Sequence, residues 1–155
     1  MRKQYRHMKD DDVTALVKIV GHCGIRLNDA IDLQKENFDL NQGTILFKQR
    51  GKMSGKFRKT TIRPNDVQWF RRWIADLSER LFPFSTRSIY YQMHKITSSP
   101  HSIRKALWDE MRRLGAKDGI IAVKMGYYID VDPDKKTKLF LELQEWEEKH
   151  FGGKN

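Results

Sequence analysis

Two side chains able to hold an anion stand three positions apart in Ser99-Pro100-His101-Ser102-Ile103-Arg104, at the start of an expected helix. Residues three apart share a helix face, so imidazole and guanidinium point the same way. Ser99 is a good N-cap and Pro100 suits the first helical position, which puts His101 and Arg104 in the first turn. There the free backbone N–H groups and the helix dipole favour negative charge, an arrangement suited to phosphate. An ordinary surface helix start with two solvated polar residues is the competing reading, and the rest of the chain weighs between them.

Composition favours the anion. Thirty Lys and Arg against twenty Asp and Glu give a net charge of +10, which in a soluble chain points first to a polyanion, with double-stranded DNA the leading partner. A membrane surface is a weaker partner, because the sequence has no long apolar span, signal peptide or lipidation motif. The single Cys23 excludes an intramolecular disulfide framework and a zinc site built on several thiolates, and suggests a reducing, intracellular setting. Histidines 7, 22, 94, 101 and 150 lack metal-ligand spacing, so neither a metal nor another cofactor is expected. At 155 residues the chain suits one domain, residues 1–155, with a real core, and a fragment of a larger protein has a compatible length.

The elements that must position these residues alternate between helix and a small sheet. Asp10 to Asp12 offer N-caps for a helix burying Val13, Leu16, Val17, Ile19 and Val20. Gly21 and Gly24 interrupt it, and a second short helix begins immediately after Arg26, which sits at the junction as a site candidate or as a surface arginine paired with Asp29. Thr44-Ile45-Leu46-Phe47 and Thr60-Thr61-Ile62 read as a β-hairpin or the edge of a small sheet. Between them lie Lys48, Arg50, Lys52, Lys56, Arg58 and Lys59, a basic finger fit to follow a DNA backbone or, more blandly, a solvated loop. Pro64-Asn65-Asp66 caps a helix expected to run through Trp69, Phe70, Trp73 and Ile74 to Leu81, its aromatics packing in the core and not stacking on bases. Pro83 breaks it, and further helices are expected over 85–96, from His101 to Gly115, from Asp118 to Met125, and after Asp132 with Leu139, Phe140, Leu143 and Trp146 inward. The fold class is α+β, mostly α-helical with a small antiparallel sheet, undivided by repeats or low-complexity linkers.

Four of these pieces, taken in order, resemble the boxes of the tyrosine-recombinase catalytic domain, the integrase family that includes phage and Xer-type enzymes. Gly24-Ile25-Arg26-Leu27-Asn28-Asp29-Ala30 resembles the first arginine box, and Gly55-Lys56-Phe57-Arg58-Lys59-Thr60-Thr61-Ile62-Arg63-Pro64 the β-hairpin lysine segment. Lys56 matches the lysine, with Lys52 as the fallback for a longer hairpin. His101-Ser102-Ile103-Arg104 resembles the His-x-x-Arg box, and Lys124-Met125-Gly126-Tyr127 stands where the family usually has Leu-Gly-His or a tryptophan equivalent, 23 positions after Arg104. Two departures stand out. Tyr127 replaces the usual histidine or tryptophan, and no tyrosine follows Tyr128. Lys136 and Phe140 mark the near and far ends of the interval in which the family places its nucleophile. Phe140 is the closest isostere, by natural loss or by a deliberate Tyr→Phe substitution. It also fits the apolar face of the last helix, and Tyr128 is a third candidate.

The resemblance implies a chemistry that these residue types suit. A tyrosine oxygen attaches to a DNA 3′-phosphate, releases a 5′-hydroxyl and conserves the ester for religation. Arg26 and Arg104 would meet the negative charge of the transition state with paired hydrogen bonds, in place of a metal ion. Lys56 would protonate the leaving oxygen, His101 would assist as base or phosphate donor, and Tyr127 would hold the same phosphate. Asp29 would orient Arg26 or a neighbouring basic residue. With Phe140 at the attacking position the covalent step is closed to the chain as written, leaving either a recombinase domain with an altered or borrowed nucleophile or a non-catalytic DNA-binding relative. The resemblance also implies that the family's N-terminal core-binding domain is absent from this chain, and that the last helix either exchanges with neighbouring protomers on DNA or packs within its own chain.

Overall fold

The computed structural model describes residues 7–50, 55–127 and 132–152. Seven α-helices and one three-stranded sheet are arranged among them as α1 (Asp10–Gly21), α2 (Leu27–Ala30), β1 (Phe38–Asp39), β2 (Thr44–Lys48), β3 (Phe57–Thr61), α3 (Val67–Ala75), α4 (Thr86–His94), α5 (Pro100–Arg113), α6 (Asp118–Met125) and α7 (Pro133–Phe151). The helix starts follow local chemistry. Ser99 Oγ accepts the His101 N–H at 3.1 Å, Ser85 Oγ accepts that of Ser88 at 3.1 Å, and Asp132 Oδ1 accepts that of Lys135 at 2.9 Å. Pro100 and Pro133 take first-turn positions that need no N–H.

The sheet is antiparallel in the order β1-β2-β3. Phe47 faces Arg58 and Lys48 faces Phe57 across the hairpin. Side chains alternate between faces along a strand, so Leu46, Lys48, Phe57 and Lys59 are exposed while Ile45, Phe47, Arg58 and Thr60 are buried. Two departures from the sequence reading appear here. The two-residue β1 adds a strand beyond the two expected, too short to show alternation. α3 stops at Ala75, short of Leu81, because the following segment pairs with backbone instead: Lys35 donates to the Glu79 carbonyl at 2.9 Å and Leu81 to that of Leu33 at 3.3 Å.

Apolar burial is divided into two clusters. The larger joins α1, α2, the sheet, α3, residues 81–84 and α4 around Leu16, Ile19, Phe47, Phe70, Phe82 and Met93. As expected, the α3 aromatics pack there, with Trp69 and Trp73 rings stacked at 5.8 Å between centroids. The smaller cluster joins α5, α6 and α7 around Leu107, Met111, Ile121, Met125 and Leu143. Ile103 on α5 also packs against the first cluster.

Charged side chains stitch the seam between the clusters. Lys124 of α6 donates to the Thr61 carbonyl at 3.0 Å, to its hydroxyl at 2.7 Å and to Glu147 of α7 at 2.6 Å. Arg63, just past β3, pairs with Glu110 of α5 and lies 4.0 Å from the centroid of the Phe151 ring at the end of α7. In the single chain, α7 packs against α6 and the segment after β3. Among the described residues no helix is long and apolar enough to cross a membrane.

Candidate functional site

The His101 and Arg104 pair lies in the first turns of α5 as expected, but the two side chains have different surroundings: His101 is exposed, whereas Arg104 is only 4% exposed. Arg104 Nη2 donates to the carbonyls of Gly24, at 3.4 Å, and Met125. Arg58 Nη2 reaches the same Gly24 carbonyl at 3.0 Å and that of Lys124 at 2.7 Å. The carbonyls of Lys124 and Met125 belong to the last turn of α6, where they lack intrahelical partners and carry the negative end of the dipole, so two guanidinium groups cap that helix end. Gly24 allows the approach: it has φ +74°, and a Cβ there would lie 2.5 Å from the Lys124 carbonyl oxygen.

Arg26 adds a third positive group. It is the N-cap residue of α2, two positions beyond Gly24, and its side chain is exposed. Burial, then the charges of Arg104 and Arg26, push Arg58 down to about 9. Burial and then Arg26 push Arg104 down to about 10, opposed by Tyr127 and Asp29. Both remain cationic at neutral pH. Among the described residues, Nε and Nη1 of Arg58 and Nε of Arg104 are buried with no hydrogen-bond partner.

Beside this cluster, between the hairpin and the end of α6 and start of α7, lies a cleft of about 470 Å³ whose lining includes Lys56, Arg58, Lys59, Tyr127, Lys136 and Phe140. Lys56 is exposed, with its carbonyl accepting the Gln49 N–H at 2.9 Å. Tyr127, 44% exposed, has its ring centroid 5.9 Å from Cζ of Arg104 and so adjoins both cluster and cleft. Phe140 is half-buried on α7, with Lys59 Nζ 5.2 Å from its ring centroid. The fold thus brings Lys56, Tyr127 and Phe140 to one cavity and Arg26, Arg58 and Arg104 to one electropositive cluster. Arg26 and His101 are not among the residues that line the cleft.

Other expected site residues differ in their surroundings. Arg58, expected in a basic finger along a DNA backbone or in a solvated loop, is 8% exposed, because it lies on the inward face of β3 with Thr60. That position is legible from strand alternation, once Thr60 is taken as inward. Asp29 is buried and accepts the backbone N–H of Arg50 at 2.9 Å, fixing the start of the basic segment and not pairing with Arg26. The Arg50 side chain pairs with Asp32 at 2.7 Å, and Lys48 and Lys59 are exposed. Lys52 and Tyr128 fall outside the described residues. The sequence reading missed the buried Lys124 and Glu147 pair, which only the approach of α7 to α6 creates. Among the described residues no group of three or more His, Cys, Asp or Glu side chains is placed to hold a metal ion.

This fold is like that of the tyrosine-recombinase catalytic domain. Its solved neighbours include the integrase from mycobacterium phage Brujita, which is 14% identical with a TM-score of 0.69, the match covering 92% of this chain and 53% of that one. XerA recombinase is 14% identical with a TM-score of 0.57, over 92% of this chain and 66% of its own. The Tn1549 transposon integrase in complex with a circular intermediate DNA is 12% identical with a TM-score of 0.52, over 88% of this chain and 57% of its own. The chain spans about half to two thirds of the length of these structures, and at such identities the likeness is one of fold. No family model matches the sequence, and no curated protein sequence matches it.

Proposed function

We propose that this chain is a DNA-binding domain of the tyrosine-recombinase kind, built to hold a scissile phosphate, with Phe140 at the position of the attacking tyrosine. The observation that carries the reading is the shared cleft: Lys56, Tyr127 and Phe140, drawn from three separate stretches of the chain, line one cavity beside Arg104. In this reading Arg26 and Arg104 neutralise charge on the non-bridging oxygens. Arg104 commits Nη2 to the carbonyls that hold it and, among the described residues, keeps Nε unpaired. Lys56, exposed at the hairpin, is the general acid toward the leaving 5′-oxygen, and His101 assists from the neighbouring face of α5. Tyr127 donates its hydroxyl to the same phosphate. Asp29 supports the site through the backbone of Arg50. Lys48, Arg50, Lys59 and Lys52 follow the flanking backbone, giving affinity that falls steeply with salt. In the presence of DNA, the assembly proposed is several protomers on one duplex, with α7 as the element available for exchange.

A ring without a hydroxyl cannot attack phosphorus, so the chain as written binds and does not cleave unless a neighbour supplies the nucleophile. The absence of a tyrosine from the interval 136–140, where the resemblance places the nucleophile, favours, as a second reading, a non-catalytic relative that occupies or blocks sites. Fluorescence anisotropy on a short duplex tests the pocket common to both readings. Arg26→Ala and His101→Ala, both at exposed positions, are expected to weaken binding, with Arg26→Ala also flattening the dependence of log K on log salt by about one. Unchanged affinity and slope for both variants would rule the pocket out.

A further inference from the structure

We infer that Arg58 is a third phosphate-binding guanidinium, facing the same anion as Arg26 and Arg104 from the floor of the cleft. The inference rests on the phosphate-pocket reading and extends it to a residue of the hairpin segment to which that reading gives no role at the scissile phosphate. Its first support is the state of the side chain. A guanidinium has five N–H donors, and an unpaired buried donor is costly. Arg58, 92% buried, uses Nη2 on two carbonyls and leaves Nε and Nη1 unpaired among the described residues.

The second support is the balance of charge. Arg58 and Arg104 share one carbonyl acceptor, that of Gly24, and Arg26 acts electrostatically on both. Asp29, which also accepts a backbone N–H, offsets only part of this repulsion for the two buried arginines. Like charges packed in a poorly solvated place repel, and an anion bound among them removes the penalty. The third support is access. Arg58 lines the cleft together with Lys56 and Tyr127, and its guanidinium lies over Gly126, where a Cβ would come 2.2 Å from Cζ. Gly126 therefore serves twice, closing α6 at φ +69° and giving Arg58 the room to lie there. The ligand class is a phosphate group, from a DNA backbone or from free inorganic phosphate.

The test is ¹⁵N NMR of the arginine Nε–H groups in the full chain, assigned with Arg58→Lys and Arg104→Lys, during titration with inorganic phosphate and separately with a short duplex. Downfield movement of both Arg58 and Arg104 with the duplex is the expected result. Movement of Arg104 alone overturns the role of Arg58 and leaves the phosphate pocket standing. Movement of neither with either probe overturns both. Movement of both with inorganic phosphate but not with the duplex keeps the three-arginine site and removes DNA as its ligand. As a second measurement, Arg58→Met is expected to lower duplex affinity roughly tenfold or more at moderate salt and to reduce the salt slope by about one. A folded variant with wild-type affinity and slope contradicts the inference, and if this variant does not fold, the titration of the wild-type chain decides.

Discussion

Replacing Glu147 by glutamine strands a buried charge and is expected to loosen the helix that carries Phe140. The Lys124 side chain has no exposure and that of Glu147 3%, with 2.6 Å between Nζ and Oε2. Lys124 keeps its two bonds to Thr61 in the variant but loses its counter-charge. Removing one partner of a fully buried pair costs ~3–5 kcal/mol, since the ammonium remains in a poorly solvated place. Glutamine can still accept a hydrogen bond, which sets the expectation near the lower end, ~3 kcal/mol. The double variant Lys124→Met, Glu147→Leu removes both charges while filling a similar volume, and is expected to lie within ~1 kcal/mol of the wild type. Urea denaturation followed by circular dichroism and tryptophan fluorescence reads the difference, with Trp108 and Trp146 packed against the smaller cluster. At a slope of ~2 kcal/mol/M the single variant loses roughly 1.5 M in midpoint while the double variant barely moves. A single variant shifted by less than ~0.5 M, or a double variant as unstable as the single, would refute the reasoning.

Two other groups give expectations of different kinds. Burial raises the Asp66 carboxyl, but hydrogen bonds from His22 Nδ1 and Lys18 Nζ, each at 2.7 Å, outweigh it and hold the group below its ordinary value. A carboxyl depressed in the folded state stabilises above its unfolded pKa of ~4 and loses that contribution as pH falls through the folded value. Urea midpoints are therefore expected to fall more steeply below about pH 4 for the wild type than for Asp66→Asn, and parallel curves contradict this. Burial pushes the Cys23 thiol up to about 12, outweighing the nearby Lys124, so it is expected to resist a disulfide reagent at neutral pH until urea unfolds the chain. Rapid labelling of the native protein contradicts that burial.

The helices were legible in the sequence because caps and glycines mark them locally. Asp118 to Met125 closed by Gly126 appears as expected, and Ser99 caps α5 through its hydroxyl. The segment up to Leu81 reads as helix because its apolar spacing is helical, whereas Glu79 and Leu81 bond to the backbone of Lys35 and Leu33, far away in sequence. Candidate site residues were legible through their order along the chain. Their states were not, because burial of Arg104, the turn of Arg58 toward Gly24 and the pairing of Lys124 with Glu147 all arise where two apolar clusters meet. No local pattern encodes such a seam, although alternation along β3 already carries Arg58 inward.

The assignment of Phe140 to the attacking position is tested most directly on a denaturing gel. The chain and its Phe140→Tyr variant are incubated with nicked duplexes spanning a library of candidate sites, and protein joined covalently to a 3′-phosphate is scored. An adduct from the variant alone is the predicted result, because the substitution adds only a hydroxyl to the ring at position 140. An adduct from the chain as written contradicts the account and assigns the attack to another tyrosine, Tyr128 first among them.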